Sequence, residues 1–283
     1  MMKMQRRRCT SFLRDYISHF ELRELTVLNR RGVRPIPARP SQMLVFHLRA
    51  TAGCDLLDHR TGQVVPTPSA GVMGPQTFRA VDALWLGNFR LFVVVFGPTG
   101  FHRLVGVPMV ELANRVYDAS ELLGGSVRQL HEELHGAAGL EQMAQIAEAY
   151  FNRMAERARR FHPVQIAAAE VIARHGSVCV DKLARTADLS VRQFERKFAE
   201  QVGMPPKLYC RVSRLSFLMR LKEAEPHRTW TDLTYLAGYF DQNHLVKEFK
   251  ALAGAAPSEF FRLIVNGFTP DRAGENAQTS DSY

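Results

Sequence analysis

A chain of 283 residues can hold two domains, and 46% hydrophobic with 23% charged residues is the balance of a folded protein rather than a disordered one. No stretch approaches the roughly 18 uninterrupted apolar residues of a membrane span, which excludes a helical membrane protein. The net charge of +9 favours a polyanionic partner.

The first residues, Met1 to Cys9, contain Arg6-Arg7-Arg8 and resemble the basic start of an export signal. Arg14, Asp15, His19, Glu21, Arg23 and Glu24 interrupt the apolar core that should follow, so a cytoplasmic protein is expected. The arginine run then reads either as a solvated tail or as a phosphate contact. Cys9, Cys54, Cys179 and Cys210 show no metal-clip or redox spacing and are expected to be reduced and mostly buried, with no metal site.

From about Arg34 to Gly100, short apolar runs alternate with breakers such as Pro66, Pro68, Gly71 and Gly74-Pro75. Runs of this kind predict strands, here at Met43–Phe46, Val64–Val65, Leu84–Leu86 and Phe89–Phe96. Leu91 to Phe96 is apolar on both faces and predicts a central strand covered on both sides. Trp85, Phe89 and Phe92 are either a ligand-pocket wall or plain core. His47, His59 and His102 lie far apart with no carboxylate at metal spacing, and no nucleophile elbow or phosphate loop is present. No catalytic residue and no cofactor are therefore expected.

From about Pro108 the texture becomes helical. Leu122, Leu123, Val127, Leu130 and Leu134 recur at helical spacing, as do Met143, Ile146, Ala147, Tyr150 and Met154. Arg153, Arg157, Arg159 and Arg160 follow, as a solvated face or a phosphate contact. The expected organisation is α+β: a β-rich domain over 1–155, cupin-like or a sandwich, then an all-α domain over 160–265. After Gly267 there is almost nothing to bury, so 267–283 is expected to be disordered.

Inside the helical region a pattern occurs twice. Ser190, Phe194, Arg196, Phe198, Gly203 and Pro206 match Asp241, Leu245, Lys247, Phe249, Gly254 and Pro257 at a constant offset of 51, while Leu183 and Leu233 lie 50 apart. Each copy reads as helix, turn, helix. A short helix ends near Asp188 or Gly238, Ser190 or Asp241 caps the next, and Gly203 or Gly254 stops it. Thr229 and Asp232 have capping-box spacing at the start of the second unit. Phe194 with Phe198, and Leu245 with Phe249, must face a core.

The opposite faces carry Val191, Arg192, Glu195 and Arg196 in one copy and Gln242, Asn243, Val246 and Lys247 in the other. Arg and Lys suit guanine edges, Asn and Gln adenine, and Glu cytosine, so duplex DNA is the expected partner. Between the units, 206–224 predicts one helix of about 28 Å, close to the roughly 34 Å between successive major grooves on one side of B-DNA. Its Arg211, Arg214 and Arg220 are candidates for phosphate contact or for bracing the units.

Residues 162–263 resemble the DNA-binding domain of AraC/XylS transcription regulators. The resemblance rests on Gly238-Tyr239-Phe240-Asp241, Leu245, Lys247, Phe249-Lys250, Gly254, Pro257 and Phe260. It implies two helix-turn-helix units bridged by a helix, with base contacts in the helices that begin at Ser190 and Asp241. Asp188, Thr234, Tyr239, Leu245 and Lys247 depart from the usual Gly, Ala, Phe, Phe and Arg; Lys247 lacks the bidentate geometry of Arg, which leaves its unit gripping mainly the backbone. The N-terminal segment is similar, more loosely, to the sensor domains that precede this module. That implies a site for a small effector, a dimerisation surface, or both, with RNA polymerase a further candidate partner. The alternatives are a constitutive DNA-binding protein without a ligand, or a DNA-repair enzyme fused to the same module.

Overall fold

The computed structural model describes residues 2–25, 31–50 and 54–265, so the expected tail at 267–283 lies outside them. Two antiparallel sheets form the N-terminal domain. The six-stranded sheet runs β1 (Met2–Arg8), β2 (Ile17–Leu25), β9 (Phe89–Phe96), β4 (Met43–Ala50), β7 (Ala70–Met73) and β10 (Val116–Asp118) in spatial order. The four-stranded sheet runs β3 (Arg31–Ile36), β8 (Val81–Leu86), β5 (Cys54–Asp58) and β6 (Val64–Pro66).

Strand β9 lies between β2 and β4 and is covered on both faces, as its unbroken apolar run requires. Because side chains alternate along a strand, Phe92, Val94 and Phe96 point one way and Leu91, Val93 and Val95 the other. The first set joins Phe20, Leu22, Leu44 and Phe46 in a core closed by three helices: α1 (Gly100–Val105), α4 (Ser126–His135) and α5 (Leu140–Ala155). Val93 and Val95 pack with Val45 on the opposite face. Two smaller helices, α2 (Met109–Leu112) and α3 (Ala119–Leu123), complete the domain.

The N-terminal arginine run is neither a solvated tail nor a free basic arm. It is edge strand β1, with Arg6 bonded to Glu21 at 2.8 Å and Arg7 to Glu141 and Glu148 at 2.8 and 2.9 Å. Arg159 is also occupied: its backbone accepts from Arg103, and its Nη1 lies 3.4 Å from His102 Nε2. Of the cysteines, Cys9 and Cys210 are buried, Cys54 is half-buried, and Cys179 is exposed at the cap of the helix that follows it.

The C-terminal domain is all helical: α6 (Val164–Ala173), α7 (Val180–Thr186), α8 (Val191–Val202), α9 (Pro206–Ala224), α10 (Trp230–Leu236), α11 (Gln242–Ala253) and α12 (Pro257–Val265). Phe194, Phe198, Val212, Leu215, Leu245, Phe249 and Phe260 are fully buried in one shared core. Ala38, from the N-terminal domain, is buried in that same core.

The two domains meet along this joint. The Ala38 amide donates to Leu252 O at 2.9 Å, and Gln42 Nε2 donates to Val202 O at 3.2 Å. Gly203 ends α8 with φ +92°, and a Cβ there would lie 2.5 Å from Pro75 and 2.9 Å from Met109 O. Only glycine combines that backbone with that approach.

Candidate nucleic-acid interface

Each unit is built as its sequence requires. Asp188 turns the first with φ +54° and Gly238 the second with φ +73°, both in the left-handed region. Ser190 Oγ accepts from the Gln193 amide at 3.3 Å while Gln193 Oε1 accepts from the Ser190 amide at 3.1 Å, a complete capping box. Asp241 Oδ1 accepts from the His244 amide at 2.7 Å, and Thr229 Oγ1 from the Asp232 amide at 3.1 Å. The Ser190 and Asp241 bonds fix where α8 and α11 start, and so which residues face outward; the Thr229 bond starts α10.

On α8, Ser190, Val191, Arg192 and Arg196 are exposed and Glu195 is half-buried. On α11, Gln242, Asn243 and Lys247 are exposed, while Asp241 and Val246 are half-buried, with Val246 leaning on the core. Two outward polar faces, each backed by fully buried apolar residues, therefore belong to two units joined by one helix, α9, which contacts both.

The arginines of α9 differ in what they hold. Arg211 makes a double hydrogen bond to Glu248 of α11 at 2.8 and 3.0 Å, which braces the second unit. Arg214 is half-buried; it donates to Gly176 O at 3.5 Å and lies 5.6 Å from the ring centre of Tyr239, so it touches both units. Arg220 is exposed. The departures Thr234 and Tyr239 are absorbed locally: Thr234 Oγ1 donates to Trp230 O at 2.7 Å, and Tyr239 packs edge-on to His244.

One residue of this surface entered the sequence reading only as part of the 238–241 signature, with no role of its own. Phe240 is 85% exposed immediately before the Asp241 cap, beside exposed Tyr235 and Leu236. The signal in the sequence was an aromatic residue directly before a capping aspartate, where nothing local offers it a core.

A second site lies in the N-terminal domain. A cavity of about 400 Å³ opens between the two sheets, with walls that include Val45, Leu56, Trp85, Phe89 and Leu91. Trp85 and Phe89 are thus wall residues, whereas Phe92 is core on the other face. Arg6, Arg23, Arg34, Arg39 and Glu223 also line it, and Glu223 comes from α9 of the helical domain. His47, on the same wall, is pushed down to about 4 by burial and by His131, so it is neutral near pH 7.

Residues 183–263 match the family described as a helix-turn-helix domain, and residues 5–118 match one described as a domain of unknown function, DUF6597. No curated protein matches the chain. Among solved structures, an apo variant of ToxT from Vibrio cholerae shares 10% identity over 93% of this chain and 100% of its own, with a TM-score of 0.51. Wild-type ToxT from Vibrio cholerae bound to an unsaturated fatty acid aligns at 10% identity over 88% and 96%, with a TM-score of 0.48. The AraC-like transcriptional activator CuxR aligns at 12% identity over 93% and 85%, with a TM-score of 0.20. At 10% identity the likeness to the apo ToxT variant carries the fold alone, a β-rich domain followed by a helical DNA-binding region.

Proposed function

We propose that the chain is a DNA-binding transcription regulator of the AraC/XylS type that reads two adjacent major grooves of a promoter or operator with α8 and α11. The observation that carries this reading is the pair of capped helices. Each buries one face in a common core and turns an Arg- or amide-bearing face outward, and α9 packs against both and joins the two units. In this reading Arg192, Glu195 and Arg196 contact base edges from the first unit. Gln242 and Asn243 do so from the second, with Lys247 on the backbone. Ser190, Val191, Asp241 and Val246 shape the two entrances, and Arg214 holds the units at their spacing. The protein acts in the cytoplasm, and a small effector held between the two sheets modulates it. The open cavity favours this sensor reading over a constitutive DNA-binding protein.

Selection of bound sequences from a random duplex pool tests the proposal. Two conserved blocks about one helical turn apart are expected. Enrichment of no motif would sink two-groove reading. Within the selected duplex, Arg196→Ala should cost about 1–3 kcal/mol and relax preference at one position, as measured by competition binding. Lys247→Ala should instead weaken all sequences alike and lower the salt slope by about one. An Arg196 variant with unchanged affinity and preference would remove that residue from the interface.

A further inference from the structure

The turns of the two helix-turn-helix units differ by one residue, and their hydrogen bonds identify it. In the first unit the Leu189 amide donates to Ala184 O at 3.1 Å, and the cap Ser190 follows at once. In the second the equivalent bond runs from the Tyr239 amide to Thr234 O at 3.0 Å, but the cap is Asp241. Leu189 and Tyr239 therefore correspond, and both lean into the shared core. Phe240 is the added residue.

Its backbone is held on both sides while its ring is not. Tyr239 is buried before it, the Phe240 amide donates to His244 Nδ1 at 3.3 Å, and Asp241 Oδ1 accepts from the His244 amide after it. The ring is nonetheless 85% exposed, more than any other large apolar side chain among the described residues. Covering it would be favourable, and a backbone already fixed has little ordering left to lose. Its place in the chain points to what covers it. Gln242 and Asn243, which open the outward face of α11, are two and three residues on. The first turn of a recognition helix is the part that meets base edges, and the apolar group those edges offer in the major groove is the thymine methyl.

We propose that Phe240 is a specificity-determining residue that packs its ring on the C5-methyl group of a thymine beside the bases read by Gln242 and Asn243. This rests on the reading of α11 as a recognition helix, and it adds an apolar readout that neither amide supplies. The second unit is where such a contact matters, since Lys247 lacks the bidentate geometry for guanine. Both amides suit adenine, so the second block of the binding site is A·T-rich. Tyr235 and Leu236, exposed on α10, stand where the first unit has Arg185 and Thr186. A protein seated across these two and Phe240 is the competing occupant. The position of Phe240 directly before the reading turn favours DNA.

The experiment uses the full chain and the duplex selected from the random pool. Each thymine of the second block is replaced in turn by deoxyuridine, which removes only the methyl group. At one thymine the wild type is expected to lose about fourfold in affinity, the effect of one buried methyl-sized group. Phe240→Ala should bind the parent duplex at least about fivefold more weakly and show no further loss at that uracil. Its Tm should match that of the wild type, because the ring it removes stands in solvent. A second block without any methyl effect, a methyl effect that persists in Phe240→Ala, or a clear fall in the variant's Tm would overturn the assignment. So would a variant that binds the duplex like the wild type but fails to drive transcription by RNA polymerase in vitro, which would give this face to a protein. Failure of the recognition-helix reading shows separately, as a selection that yields no second block at all.

Discussion

Phe249→Ala is expected to destabilise the second helix-turn-helix unit by about 3–5 kcal/mol, the range for truncating a buried phenylalanine that leaves a cavity. Phe249 is fully buried and lies at ring-centre distances of 5.4 Å from Phe260, 6.3 Å from Trp230 and 6.3 Å from Phe261. One substitution therefore loosens α10, α11 and α12 together. The exposed reading face is untouched, so any loss of DNA binding measures how far affinity depends on holding α11 in place. Urea unfolding followed by fluorescence is the direct check, because Trp230 sits against the deleted ring. A loss below about 1 kcal/mol would show that these aromatics do not share one core.

The second large effect concerns the buried carboxylate of the β-domain. Glu21 is 2% exposed and accepts from Arg6 Nε at 2.8 Å, His19 Nε2 at 2.9 Å and Arg23 Nε at 2.7 Å. Burial alone would raise its pKa, but the His19 hydrogen bond and the charges of Arg23 and Arg6 hold it well below the usual carboxylate range. Glu21→Gln leaves these cations without their common acceptor. Breaking a buried pair costs about 3–5 kcal/mol, and since Arg6 and Arg23 reach solvent, the lower end is expected. Because the folded carboxyl titrates below its unfolded value, its contribution is complete above about pH 4.3 and fades as pH falls from there. Wild-type stability should therefore drop on acidification more steeply than that of Glu21→Gln. Parallel pH profiles of Tm would contradict this.

The helical domain was legible because helix-turn-helix units are local. Caps, turn residues and core spacing lie within about twenty residues of one another, and the pattern occurs twice. Asp188, Ser190, Thr229 and Asp241 each do what their side chains suggest. The sheets were harder. Ile17–Leu25 carries Glu21 and Arg23 amid its apolar residues, so it looks like an interruption rather than a strand until the ion pairs that bury Glu21 are seen. Pro35 disguises β3, and β10 has three residues. The cavity depends on how one sheet faces the other. Nothing local brings Arg39 and Trp85 to one wall, and Arg39 stands among prolines with no periodicity to mark it.

The arginine-bearing edge strand governs how copies of this chain can meet. An open sheet edge offers unpaired amides and carbonyls to any strand that arrives. Here the outermost strand carries Lys3, Arg6, Arg7 and Arg8, with Arg6 and Arg7 anchored inward by acids of the same chain. Two such edges brought together would set like charges across the new ladder, a repulsion that high salt screens. The six-stranded sheet thus has a border at β1 that disfavours edge-to-edge pairing of two copies at low salt.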